Sequence, residues 1–333
     1  MNPSNVKPSW QEKGYVDEPI GSDVNLRESI RRLCDEKNAV ILAHYYVDGA
    51  IQDVADFVGD SLALAQQASK TDADIIVMCG VHFMAETCKL LCPDKLVLLP
   101  DVTAGCSLAD SCDARELAEW KQAHPDYKVV SYVNTTAAVK ALTDIVCTSG
   151  NALKVVQSLD ENEKILFAPD YNLGSYINSV TGRNMDLWHG GCHVHERFSI
   201  DALSAMKQQY PSVKVLAHPE CKAPILAAAD IVGSTAVLLK YVMEHEEEKQ
   251  FIIATEAGIL HEMQKQCPDA VFHAVPPEIS EETRGCHCNE CEFMKKNSMA
   301  KLYNTLKYEY PFVELDASIA ADAVKPIERM LSL

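Results

Sequence analysis

The chain has 333 residues, a formal net charge of −18 and 47% hydrophobic residues, enough apolar content for two or three soluble domains at a length that one core rarely serves. The acidic balance, with Lys and Arg scattered, excludes a nucleic-acid-binding role, which needs a basic footprint against phosphate. No stretch reaches the roughly 18 apolar residues of a membrane span. The first 25 residues hold Pro3, Pro8 and Pro19 but no apolar run or cleavable signal, so the expected location is cytoplasmic.

After this polar arm (residues 1–24) comes a strand-like run, VILAHYY at 40–46, that ends in His44 and Tyr46. ADFVGDS at 55–61 follows and leads into the helical run LALAQQASK. DIIVMCG at 74–80, the helical VHFMAETCKLLC and the strand KLVLLP then carry the chain to Cys106 in TAGCSL. The text then recurs: Tyr132, Asn134, Asp144 and Ser149 stand 88 positions beyond His44, Tyr46, Asp56 and Ser61. It recurs again 86 positions later as His218, Glu220, Asp230 and Thr235. TDIVCTS at 143–149 and ADIVGST at 229–235 repeat ADFVGDS, and KILFAPD at 164–170 and FIIATEA at 251–257 repeat DIIVMCG.

A period this long is a domain triplication, outside the roughly 20 to 50 residues of solenoids and propellers. Strands alternating with helical runs predict parallel βαβ sheets. The fold class expected is therefore α/β, with three homologous domains in pseudo-threefold arrangement around a central site. The bounds are 25–108 (joined by the C-terminal segment 285–333), 109–193 and 194–284.

In such sheets ligands bind beyond the carboxyl ends of the strands, where the pairs His44/Tyr46, Tyr132/Asn134 and His218/Glu220 fall. Ser61, Ser149 and Thr235 precede helical runs and are expected as N-caps; helix N-termini attract anions. Three such termini around one centre suit a small substrate with several negative charges. Of the adjacent tyrosines 45 and 46, the register with Asn134 and Glu220 makes Tyr46 the polar one. Asp56, Asp144 and Asp230 recur as faithfully but precede apolar pairs, and are read as structural. Asp170 and Glu256 share a slot and carry no assignment.

Without an export signal the thirteen cysteines are thiols, ligands or catalytic groups and not structural disulfides. Cys34, Cys79, Cys147, Cys221 and Cys267 read as packing, as do Cys88 and Cys92 despite their helical spacing. Cys106 and Cys192 differ, being 86 apart at corresponding points. The third copy would fall at Glu278, and a replacement thiol is available in RGCHCNECEFM, at Cys286, Cys288 or Cys291. A zinc site from Cys286, His287, Cys288 and Cys291 competes, but adjacent residues point apart. Three thiolates from distant segments suit an iron-sulfur cluster with one open iron.

AHYY at 43–46, GDSL at 59–62, AGCSLADSC at 104–112, YVNTTAAVKA at 132–141, APDYNLGSY at 168–176, GGCHVHERF at 190–198, HPE at 218–220, GST at 233–235 and CEFM at 291–294 resemble the quinolinate synthase family. That family is the A protein of the bacterial route from aspartate to NAD, and the likeness runs from about residue 25 to 330. It implies three α/β domains around a 4Fe-4S cluster held by Cys106, Cys192 and Cys291, the last chosen for its C-x-x-M continuation. Gly285 and Cys286 depart from members with a C-x-x-C-x-x-C run.

The resemblance also implies condensation of iminoaspartate with dihydroxyacetone phosphate to quinolinate, phosphate and two waters. The open iron would act as Lewis acid for dehydration, and an L-aspartate oxidase or dehydrogenase would supply the imine. On that basis Glu220 is the expected acid/base, a carboxylate whose surroundings can raise its pKa. Tyr46 and His44 shuttle protons, and His195 sits beside the cluster. Tyr132, Asn134 and His218 orient carboxylate or carbonyl, and Ser61, Ser149 and Thr235 hold phosphate or carboxylate. An aconitase-type hydro-lyase and an iron-sensing regulator are the competing classes. The chain is short for the first and shows no DNA-binding module for the second.

Overall fold

A computed structural model describes residues 10–278 and 289–333. Among these residues, twelve strands form three four-stranded sheets of identical order. The first holds β1 (Ala39–His44), β2 (Phe57–Gly59), β3 (Ile75–Cys79) and β4 (Leu96–Leu98) in the order β2-β1-β3-β4. The second holds β5 (Tyr127–Tyr132), β6 (Ile145–Cys147), β7 (Lys164–Ala168) and β8 (Asp186–Leu187), and the third β9 (Lys214–Ala217), β10 (Ile231–Val232), β11 (Gln250–Ala254) and β12 (Val271–Ala274). Every pairing is parallel, which explains the unbroken apolar runs: helices cover both faces of such sheets. The expected α/β class with three similar units is the one observed.

Register is held by the device read as structural. Asp56 accepts from the amide of Ile41 at 2.8 Å, Asp144 from Val129 at 2.9 Å and Asp230 from Val215 at 2.9 Å. Each aspartate's own N–H returns a bond to the carbonyl of the same residue. The two bonds tie the short edge strand to the central one. Leu42 accordingly pairs Phe57, Val130 pairs Ile145 and Leu216 pairs Ile231, the same register in all three units. Replacing Asp144 with Ala strands a main-chain donor and should destabilise the protein by about 1–3 kcal/mol, seen as a lower urea midpoint. Asn, which keeps the acceptor, should lose less; an unchanged midpoint in the Ala variant would remove this tie from the account.

The helix that opens each unit is also capped in register. Asn25 accepts from Glu28 N, Asp113 from the amides of Arg115 and Glu116, and Ser199 from Ala202 N. One continuous core joins the first two units and the C-terminal helices, whereas the third has its own clusters, one of which takes Tyr45 from the first unit. Helix Met299–Tyr308 packs on Leu26–Lys37. The last helix, Ala317–Ser332, packs on β6, on Ala137–Lys140 and on His82–Leu91, so the C-terminal segment spans the first two units. Among the described residues no helix is long and apolar enough to cross a membrane.

Candidate active site

The carboxyl ends of β1, β5 and β9 converge on one cleft of about 700 Å³, its open mouth included. All the residues given site roles from sequence line it: His44, Tyr46 and Ser61 from the first unit; Tyr132, Asn134 and Ser149 from the second; His195, His218, Glu220 and Thr235 from the third; and Cys106, Cys192 and Cys291. No Lys or Arg is among the described lining residues, so polarity there comes from hydroxyls, imidazoles, amides and Glu220 with Glu256 and Asp60.

A hydrogen-bond chain crosses the cleft. The Tyr132 hydroxyl donates to Glu220 Oε1 at 2.5 Å, His195 Nδ1 lies 2.9 Å from Glu220 Oε2, His195 Nε2 lies 3.0 Å from Thr255 Oγ1, and Thr255 Oγ1 lies 2.9 Å from the Tyr46 hydroxyl. With His195 neutral, one proton arrangement satisfies every link: Tyr46 donates to Thr255, Thr255 to His195 Nε2, and His195 Nδ1 and Tyr132 to the carboxylate. Burial alone pushes the Glu220 pKa up, but His195 beside it and the bonds donated by His195 and Tyr132 outweigh it and hold Glu220 below the usual carboxylate range. The pKa expected to be raised is lowered instead. The sequence places Glu220 at a strand end but does not show that it is buried there or that two donors from distant segments reach it.

His44 and His218 occupy the same place in their units and are oriented alike. The amide two residues on points at Nδ1, from Tyr46 at 3.2 Å and Glu220 at 3.4 Å. This leaves Nε2–H to face the cleft, and on His218 it meets Ser149 Oγ at 3.2 Å. Burial lowers both pKa values to about 3, so both rings are neutral when folded. Between the ordinary 6.5 and about 3 the unfolded chain binds more protons, so stability falls as pH falls through that window, by about 1.4 kcal/mol per unit for each ring. Urea midpoints of anaerobic protein at pH 7.5 and 5.5 should differ less in His44→Gln than in the parent; equal slopes would contradict this.

Cys106, Cys192 and Cys291 each head a helical turn: Ser107–Asp110, His195–Arg197 and Met294–Lys296. Enclosure pushes the Cys106 thiol up to about 12, Cys291 to about 11 and Cys192 well above the usual thiol range. Amides of the turn counter this, those of Leu108 and Ala109 at Cys106, His195 at Cys192, and Phe293 and Met294 at Cys291. The three sulfurs also lie close enough to raise one another's pKa. A second donor set overlaps this one, since ligand atoms of Cys192, His195 and Glu220 lie within 4.8 Å of each other.

Comparison with known proteins bears on this arrangement. A family model described as "Quinolinate synthetase A protein" matches residues 28–332. The chain belongs to that family. It is similar to the quinolinate synthase of Synechocystis, 54% identical over 92% of this chain and 94% of that protein, and to that of Thermosynechococcus vestitus, 52% identical over 93% and 96%. The quinolinate synthase of Chloroherpeton thalassium is 51% identical over 95% and 97%.

Not every expectation placed on this family member holds. Ser61, Ser149 and Thr235 line the cleft but are not the N-caps. Asp60 and Ser234 cap their helices, accepting from Ala63 and Val237, so Ser61 and Thr235 are the first helical residues. Ser149 lies before Asn151, which precedes helix Ala152–Gln157 without a side-chain capping bond. A cap must be extended so that its side chain can turn back to the third amide. Asp60 and Ser234 meet that condition, leaving the next hydroxyl free for the cleft.

Tyr46 faces the cleft and Tyr45 the core of the third unit, as expected. Asp170 caps Tyr171–Thr181, and Glu256 holds the amides of Gly258 at 2.6 Å and Cys291 at 2.9 Å, fixing the Cys291 turn. Cys286, His287 and Cys288, considered for a zinc site, lie outside the described residues. Thr255 was not predicted. Its slot holds Gly80 and Pro169 in the other units, and only its polarity at the end of an apolar strand marks it.

Proposed function

We propose that the protein is a quinolinate synthase, condensing iminoaspartate with dihydroxyacetone phosphate to quinolinate, phosphate and two waters in this cleft. The observation that carries the reading is the hydrogen-bond chain from Tyr46 to Tyr132 through Thr255, His195 and Glu220, which draws one catalytic array from all three units. The donor set supports a 4Fe-4S cluster on Cys106, Cys192 and Cys291: three neighbouring thiols face one cleft, turn amides aim at each sulfur, and Phe293, Val194 and Met294 supply apolar wall beside them. When bound, such a cluster supplies an open iron able to polarise a hydroxyl or carboxylate as a Lewis acid.

The protein groups bind and move protons. Ser61 and Thr235 offer hydroxyls and free amides at helix N-termini for phosphate or carboxylate. His218 and His44, neutral, donate from Nε2 without adding charge, and Asn134 presents a buried Oδ1 with no partner among the described residues. Glu220 is ionised and accepts a proton from substrate carbon. A carboxylate held this low is a weak base, but substrate that draws Tyr132 or His195 away leaves burial unopposed and raises its basicity at the transfer. Tyr46 and Thr255 carry protons onward through His195. The imine would come from an L-aspartate oxidase or dehydrogenase, and the cytoplasm is the expected compartment. The reading requires one phosphate released per quinolinate and none of either product when one substrate is omitted. Phosphate release without quinolinate would favour a lyase acting on the triose alone.

A further inference from the structure

Two buried polar side chains outside the cleft occupy one slot of the repeat. Gln52 is 2% exposed and Lys140, 88 positions on, is fully buried. Gln52 Nε2 donates to the carbonyls of Tyr45 at 2.8 Å and Val47 at 2.9 Å, the residues on either side of Tyr46. Lys140 Nζ donates to the carbonyls of Val133, at 2.8 Å, and Thr135, which flank Asn134. The acceptors correspond residue by residue, so different chemistry performs one task in two units. In the third unit the slot holds Leu226, which has no donor, and there the site residue Glu220 is held by Tyr132 and His195 instead.

The need is greatest at Asn134. Its side chain makes no hydrogen bond to any described residue, and the Thr135 amide turns back onto the Val133 carbonyl at 2.8 Å, making Asn134 the centre of a three-residue turn. Its direction is therefore set by the backbone alone. A buried ammonium is costly, yet Lys140 meets carbonyl oxygens and the Phe83 ring, 5.4 Å from its centroid, where an apolar residue would fill the space. Gln52 also donates to the Gly258 carbonyl at 3.1 Å, joining the first unit to the third. A Cβ on Gly258 would lie 2.8 Å from Tyr46 Cα, so only glycine permits that approach.

We propose that Gln52 and Lys140 are positioning residues that clamp the carbonyls of the residues on either side of Tyr46 and Asn134 and aim those side chains at substrate. This rests on the quinolinate synthase reading for its kinetic consequence but not for its structural one. In reconstituted enzyme, Lys140→Met should lower kcat/KM about ten- to a hundredfold with iron content unchanged, and Lys140→Gln, which restores a donor, should recover most of it. Combined with Asn134→Ala, Lys140→Met should add little further loss, because both act through one side chain; full additivity would overturn the proposal. Hydrogen exchange of the segment 132–136 should quicken in Lys140→Met, and unchanged exchange would overturn the clamp whether or not the parent makes quinolinate. Should Lys140→Met not fold, Gln52→Met with Tyr46→Phe gives the same cycle, and additivity there would likewise overturn it.

Discussion

Serine at Cys106, Cys192 or Cys291 is expected to remove iron, sulfide and quinolinate formation together. Each thiol heads a helical turn whose amides point at sulfur, an arrangement that stabilises a thiolate once a metal takes the proton's place. A hydroxyl in the same position stays protonated and is a poor ligand for iron of this kind. Cys267→Ala, on a partly exposed helix end outside the cleft lining, should keep both iron and turnover. The series also separates the two donor sets. A single ion on Cys192, His195 and Glu220 would survive loss of Cys106 or Cys291, whereas a cluster on three thiols would not. Glu220 and His195 already bond each other and, through Tyr132 and Thr255, their neighbours, so an ion there would have to break satisfied buried bonds. Iron retained in Cys106→Ser and Cys291→Ser would move the metal to the smaller set.

Glu220→Gln should lower turnover by about two to four orders of magnitude, the range of a positioned acid/base, while iron and sulfide stay at the parent level. The amide is of the same size and can still accept from Tyr132, but it cannot take a proton from carbon. Tyr132→Phe should be milder, because it removes one of the donors that lower the Glu220 pKa and leaves the carboxylate in place. A pH profile should show it: with one donor gone, the pH at which Glu220 ionises rises, so activity is lost at higher pH on acidification than in the parent. Full turnover by Glu220→Gln would end the acid/base assignment.

The repeat made much of this legible. Units that preserve the 88- and 86-residue displacements expose a strand-end slot whatever residue fills it, which is why Tyr132 and Asn134 could be matched to His44 and Tyr46. The same logic marked Asp56, Asp144 and Asp230 as structural, since a residue invariant in all three units serves what the units share. Features built between units were not visible. Thr255 has no polar counterpart at Gly80 or Pro169, and the donors that lower the Glu220 pKa come from segments far away in sequence. Cap positions failed for a local reason: Asp60-Ser61 and Ser234-Thr235 each hold two residues able to cap, and only backbone dihedrals choose between them. Gln52 and Lys140 escaped notice because unlike side chains share a function and Leu226 breaks the series.

The central claim, that one cleft assembled from three units makes quinolinate, is tested most directly by supplying anaerobically purified protein with iminoaspartate and dihydroxyacetone phosphate and weighing the product by mass spectrometry. The account predicts quinolinate, with formation lost after exposure to air. No quinolinate from protein carrying its full iron and sulfide would contradict it and leave the triplicated fold in search of another dehydration.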